Sequence, residues 1–175
     1  MQTDNRTIAL YAAIIFLSSA LVLVLEMVAA RLIAPFVGVS LYSWTAIIGT
    51  VLAGLSIGNW IGGVMADRNA SQRAAGFVLL AAAASAFLIL LILPRIAGPI
   101  QTSDLSLAGS SLALTMALFF MPALLLGIVT PLLTTLALQH SERTGHIIGM
   151  MHALAALGSI FGTFATGFWL VQWFG

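Results

Sequence analysis

Cysteine and lysine are both missing from this chain, and charge of either sign is scarce. Without cysteine there is no disulfide and no thiolate metal ligand, and redox chemistry says nothing of compartment. All six basic residues are arginines (Arg6, Arg31, Arg68, Arg73, Arg95 and Arg143), and the net charge is only +1. They are dispersed, so the clustered basic footprint that nucleic acid needs is missing. Charged residues make up 6% of the chain, whereas a soluble domain carries about 25%. What is present instead is apolar: 61% of the 175 residues are hydrophobic and the mean hydropathy is +1.13. The expectation is an all-α polytopic membrane bundle, one transmembrane domain over 1–175, with no soluble catalytic domain and no cofactor.

Five apolar runs emerge, over about 8–33, 42–65, 74–93, 110–138 and 146–173. Each reaches the ~20 residues needed to cross a bilayer core. Hydrocarbon offers the backbone no hydrogen-bond partner, so such spans must be helical, and none alternates as a barrel strand would. Pro35 and Pro94 mark the ends of the first and third runs. The polar stretch Gln101-Thr102-Ser103-Asp104 offers N-cap side chains for the fourth. The first run is too long for the ~7–15-residue core of a signal peptide, so it reads as a retained helix.

Arginine placement orients the chain. Arg6, Arg68, Arg73 and Arg143 fall on one side, Arg31 and Arg95 on the other, which favours the first side as cytoplasmic. That puts the N-terminus inside and, after five spans, the C-terminus outside, in a bacterial-type plasma membrane. Tyr42, Trp44, Trp169 and Trp173 fit an outer aromatic belt, and Tyr11 and Trp60 an inner one. Gly54, Gly58 and Gly62 form a stripe down the second span. In the fifth, Gly158, Gly162 and Thr166 form one row, with Ala155, Ser159, Thr163 and Gly167 beside it. Small residues at this spacing let helix backbones touch. Packing inside the bundle is the first reading; a homo-oligomer interface or a sliding transporter surface is the second. Pro122 and Pro131, with Gly127 between them, interrupt hydrogen bonding in the fourth span, as happens at transporter substrate sites and in membrane helices generally.

Glu26 is the most informative ionisable residue because it lies inside a span. A carboxylate there must face the bundle interior, be paired or be protonated. Arg31 is not its helical neighbour, because five residues rotate it about 140° round the axis. Proton or cation handling and a buried structural anchor are both open for Glu26. His152, two turns into the fifth span, reads first as a hydrogen-bonded packing residue and second as a ligand-binding one. His140 and His146 flank a short loop, and the three histidines lack metal-ligand spacing with carboxylates, so no metal is expected. Asp67 could cap a helix or pair with Arg68 or Arg73 at a charged, topology-setting turn.

Residues 25–44, LEMVAARLIAPFVGVSLYSW, resemble the opening of the membrane module fused to spermidine synthase-like domains, with its LE…RLxAPxxGxSxYxW pattern. The stretches Leu52–Gly58, Gly62–Arg68 and Gly149–Ser159, then Gly167-Phe168 and Phe174-Gly175, resemble that module in the same order. His152 and Ala155-Ala156 depart from it, replacing an aromatic and a polar pair. The glycines here lie in apolar helices rather than in a nucleotide-binding loop after a strand. The chain alone is therefore not expected to be an aminopropyltransferase, although relatives continue into further helices and an enzyme domain. A weaker similarity joins residues 63–73, GVMADRNASQR, to the loop between helices two and three of major facilitator superfamily transporters, with Ala70 in place of a glycine. In such transporters that loop gates the inner face.

Three expectations follow. The chain is a membrane subunit or anchor of the spermidine synthase-like kind, serving a separately encoded soluble synthase-like partner or forming a homo-oligomer. Alternatively it is a small transporter or half-transporter for an amine or cationic solute, with Glu26 in its path. Or it is a structural subunit among other membrane subunits. Partners in every case include the lipid bilayer and exclude nucleic acid.

Overall fold

The computed structural model describes residues 2–174, and they form an all-α bundle with no strand among them. Its long helices are α1 (Gln2–Val37), α2 (Leu41–Asn69), α3 (Gln72–Gln101), α4 (Leu107–Leu138) and α5 (Thr144–Ala165). A π-helical segment, Thr166–Leu170, and a last turn, α6 (Val171–Phe174), extend α5. Five spans are long and apolar enough to cross a bilayer, which makes this a multi-pass membrane protein.

The helices overrun the proline boundaries expected from sequence. α1 passes through Pro35, and α3 through Pro94 and Pro99. A proline removes one donor and one i→i−4 bond, which a helix packed on neighbours can tolerate. α1 instead ends at Gly38, whose φ of +72° and N–H bond to the Ala34 carbonyl (2.9 Å) make a left-handed glycine stop. Ser40 then caps α2, accepting from the Ser43 N–H at 3.2 Å, and the Ser43 hydroxyl donates back to the Gly38 carbonyl at 3.0 Å. Ser71 caps α3 in the same way. The cap of α4 is Ser106 rather than a residue of 101–104, since Thr102 and Ser103 bond back to α3 carbonyls.

The glycine stripes are interior packing surfaces. Gly54, Gly58 and Gly62 lay α2 against the backbone of α4: a Cβ on Gly54 would lie 2.9 Å from the Phe120 carbonyl oxygen, one on Gly62 2.6 Å from that of Ile128, and one on Gly58 would collide with that of Leu124. Gly127 answers from α4, where a Cβ would lie 2.8 Å from the Leu55 carbonyl oxygen. Gly158 and Gly162 likewise lay α5 on the carbonyls of Phe16 and Ala20 in α1. Within each pair contacts advance in the same direction along both helices, so the partners run parallel. The three-residue turn after α1 sets the first pair against the second. Exchanging α1 with α4 and α2 with α5 therefore maps one glycine contact onto the other with inverted direction.

α4 is the most enclosed helix, with α3 packed on its far side. Two apolar clusters fill the bundle. One contains Tyr11, Ile15, Leu132 and Met151 near the end that carries Arg6, Arg68, Arg73 and Arg143; the other contains Ile33, Ile47, Leu114 and Phe119 towards the opposite end. A buried Thr50–Thr115 hydroxyl bond (3.1 Å) ties α2 to α4 in the second region. Tyr11 is not a belt residue: only 3% exposed, it accepts from Gln72 Nε2 at 2.7 Å and packs near the His140 ring. Tyr42, Trp60, Trp169 and Trp173 do face outward.

These contacts make the glycines unequal. Gly58→Ala and Gly158→Ala each force a methyl group into a neighbouring backbone and should destabilise the purified protein by about 1–3 kcal/mol. Gly63→Ala meets no atom within 4 Å and should be neutral or stabilising by up to about 1 kcal/mol. Melting curves in one detergent decide this; equal loss in all three variants contradicts the packing scheme.

Candidate functional site

The two parallel pairs, α1–α5 and α2–α4, do not close on each other along their whole length. Between them lies a cleft of about 580 Å³, within the ~300–1,000 Å³ of small-molecule sites. α1 lines it with Ser18, Ser19, Val22 and Leu23, and α2 with Leu55 and Asn59. α4 contributes Leu126, Gly127, Thr130, Pro131, Thr134, Thr135 and Leu138, and α5 contributes Ile148, His152, Ala155 and Ser159. These come from the second half of α4, the first half of α5 and the middle of α1. The lining thus runs from the bundle centre, at Val22 and Leu55, towards the arginine-rich end, at Leu138 and Ile148.

Eight lining side chains are polar: Ser18, Ser19, Asn59, Thr130, Thr134, Thr135, His152 and Ser159. Local spacing gathers them. Ser18 and Ser19 share a stripe with Val22 and Leu23, as Thr130 does with Thr134, and His152 and Ser159 lie seven residues apart on one helix face. The Ser18 hydroxyl donates to the Ile14 carbonyl of its own helix. Ser19, Asn59, Thr130, Thr134, Thr135, His152 and Ser159 have no side-chain hydrogen bond among the described residues. Pro131 has no N–H, so the Gly127 carbonyl four residues earlier loses its helical donor at the cleft wall. Polar groups free at membrane depth are costly unless a solute or water meets them.

The candidate residues from sequence distribute unevenly about this cleft. His152 lines it and is exposed, so it is not the hydrogen-bonded packing residue expected: its helix face turns into open space, not onto a neighbour. Glu26 is half-buried and lies one turn of α1 beyond Val22 and Leu23, on the same stripe, outside the lining. It has no ion pair or hydrogen bond among the described residues, and Arg31 is exposed and equally unpaired, in keeping with their different faces. The π-helical segment stands beside this level of α1, where a Cβ on Gly167 would lie 3.7 Å from the Met27 methyl. Asp67 and Arg68 are exposed at the end of α2 and neither pairs, so the expected link among Asp67, Arg68 and Arg73 is not formed; Ser71 does the capping there. Gly54, Gly58, Gly62, Gly158 and Gly162 set the walls of the cleft from behind.

Sequence reasoning missed Ser18, Ser19, Thr130, Thr134, Thr135 and Asn59 as one site. Their signal was weak, since hydroxyls are ordinary in membrane helices and only the pairing of helices brings them together. Among the described residues no group of three or more His, Asp or Glu could hold a metal ion. No family model matches the chain, and neither a curated protein nor a solved structure matches it.

A cysteine-free background makes the cleft directly testable. Ser159→Cys and Thr134→Cys should react with a membrane-impermeant thiol reagent in reconstituted protein. Leu80→Cys, on an outward face of α3 (69% exposed), and Thr50→Cys, buried at 1%, should not. Failure of both cleft positions to label while Leu80→Cys reacts would show that water does not enter.

Proposed function

We propose that this chain is a transporter-type membrane module that binds a small polar solute in the cleft between its two helix pairs. The observation that carries this reading is the convergence of eight polar side chains from four spans on one cavity at membrane depth. Proline-interrupted helices and inverted helix pairs around a central site are shared with many secondary transporters. The similarity of residues 63–73 to a major facilitator loop supports the same assignment. On this reading the chain is not itself an enzyme. It sits in a bacterial-type plasma membrane with Arg6, Arg68, Arg73 and Arg143 on the cytoplasmic side, so the cleft lining runs towards the cytoplasm.

A second reading is a membrane subunit or anchor for a soluble synthase-like partner, alone or as a homo-oligomer. It rests on the residues of the LE…RLxAPxxGxSxYxW pattern. Gly38, Ser40 and Ser43 of that pattern form the stop, cap and clasp of the α1–α2 turn, so the pattern is used to build the module and names no chemistry.

Proteoliposomes separate the two. With the transport reading, solute gradients drawn from a panel of small amines and polar metabolites should drive currents or uptake that Ser159→Leu, which blocks the cleft, abolishes. Trp60→Leu, on an outward face, should leave them unchanged. If no solute moves while native membranes yield a stoichiometric soluble partner on pull-down, the anchor reading replaces transport.

A further inference from the structure

We propose that the solute of this cleft carries one positive charge, as a primary ammonium ion does, and that Glu26 is its counter-charge; this rests on the transport reading above. Three observations about Glu26 converge on it. Glu26 is the only carboxylate within the spans away from a helix end; Asp4, Asp67, Asp104 and Glu142 lie at helix ends or in turns. It faces no arginine or other partner among the described residues. It is not itself in the lining but continues, by one turn or about 5–6 Å of helix rise, the stripe of α1 that lines the cleft as far as Val22 and Leu23.

The cleft itself offers acceptors and no fixed charge. The Ser18 hydroxyl spends its proton on Ile14, leaving its lone pairs for a ligand. Pro131 leaves the Gly127 carbonyl without its helical donor. Threonine and serine hydroxyls accept as readily as they donate. Asn59 and His152 are the only fixed N–H donors in the lining, and no arginine lines it. An anionic solute would find no permanent counter-charge here. An ammonium group brings three donors and one charge, which match hydroxyl and carbonyl acceptors and a single carboxylate. One carboxylate balances one charge, so a solute with two ammonium groups in the cleft would leave one unneutralised at membrane depth.

The test uses the full chain in nanodiscs and a panel of primary alkylammonium ions from methyl to butyl, with the matching alcohols and carboxylates as neutral and anionic controls. Calorimetric titration should show at least one ammonium ion binding saturably, at least tenfold tighter than its alcohol, with no binding of its carboxylate. Glu26→Gln should lose at least tenfold in ammonium affinity, and Glu26→Asp should retain most of it. Because Glu26→Gln could fail to fold, a second measurement uses the unaltered protein: carbodiimide labelling at Glu26, mapped by mass spectrometry, should be suppressed by the bound ammonium ion and not by the alcohol. Ammonium binding that survives Glu26→Gln within twofold, or that leaves carbodiimide labelling unchanged, overturns the assignment while leaving the cleft a solute site. Binding of the alcohols or carboxylates in preference to the ammonium ions also overturns it. No binding by any member of the panel, together with no transport of any solute, removes both this inference and the reading beneath it.

Discussion

Backbone-to-backbone contact at the glycine stripes is the constraint on which the rest of this bundle depends. Inside hydrocarbon there is little hydrophobic drive to bring helices together, because lipid tails are as apolar as leucine. Association must come from close van der Waals packing, and that requires positions without a Cβ. Gly54, Gly58, Gly62 and Gly127 supply them between α2 and α4, and Gly158 and Gly162 between α5 and α1. Two tight parallel pairs result. Large residues such as Leu114, Phe119 and Leu132 then fill the space around the central helix α4.

The cleft is what those two pairs leave between them. Each pair is rigid because its contact is backbone on backbone, so a space between pairs is not closed by small side-chain adjustments. In the half nearer Arg31 and Arg95 it is filled by apolar residues of α1, α2 and α4, such as Ile33, Ile47 and Phe119. In the half nearer Arg68 and Arg143, Thr130, Thr134, Thr135, His152 and Ser159 line it. Glu26 lies one turn beyond the lining, towards the filled half.

The pattern in residues 25–44 shows how a family-like motif and a site can be different things. Its Gly38, Ser40 and Ser43 are needed because a helix leaving the membrane must stop, reverse and restart within three residues while every backbone group finds a partner. Glu26 and Arg31, at its other end, have no such structural employment: neither pairs, and they sit on different faces of α1. The glycine and serines hold the turn, and the carboxylate takes no part in it.

Composition and run length by themselves determined that this is an all-α membrane protein with five spans, because nothing but a helix satisfies a 20-residue apolar backbone in lipid. The glycine spacing was also legible, since four-residue intervals put Gly54, Gly58 and Gly62 on one face whatever that face meets. Glu26 announced itself as a costly charge within a span. Helix ends were less legible: Pro35 and Pro94 look like stops, but packed helices tolerate a missing bond, and Gly38 and Ser106 did the stopping and capping. Only the tertiary structure decided which glycine face meets which helix. With that it decided that Ser18, Asn59, Thr134 and His152, up to 134 positions apart in the chain (from 18 to 152), line one cavity. Periodicity assigns each residue to a face of its own helix, but the partner of that face depends on the relative placement of all five helices, which no local pattern encodes.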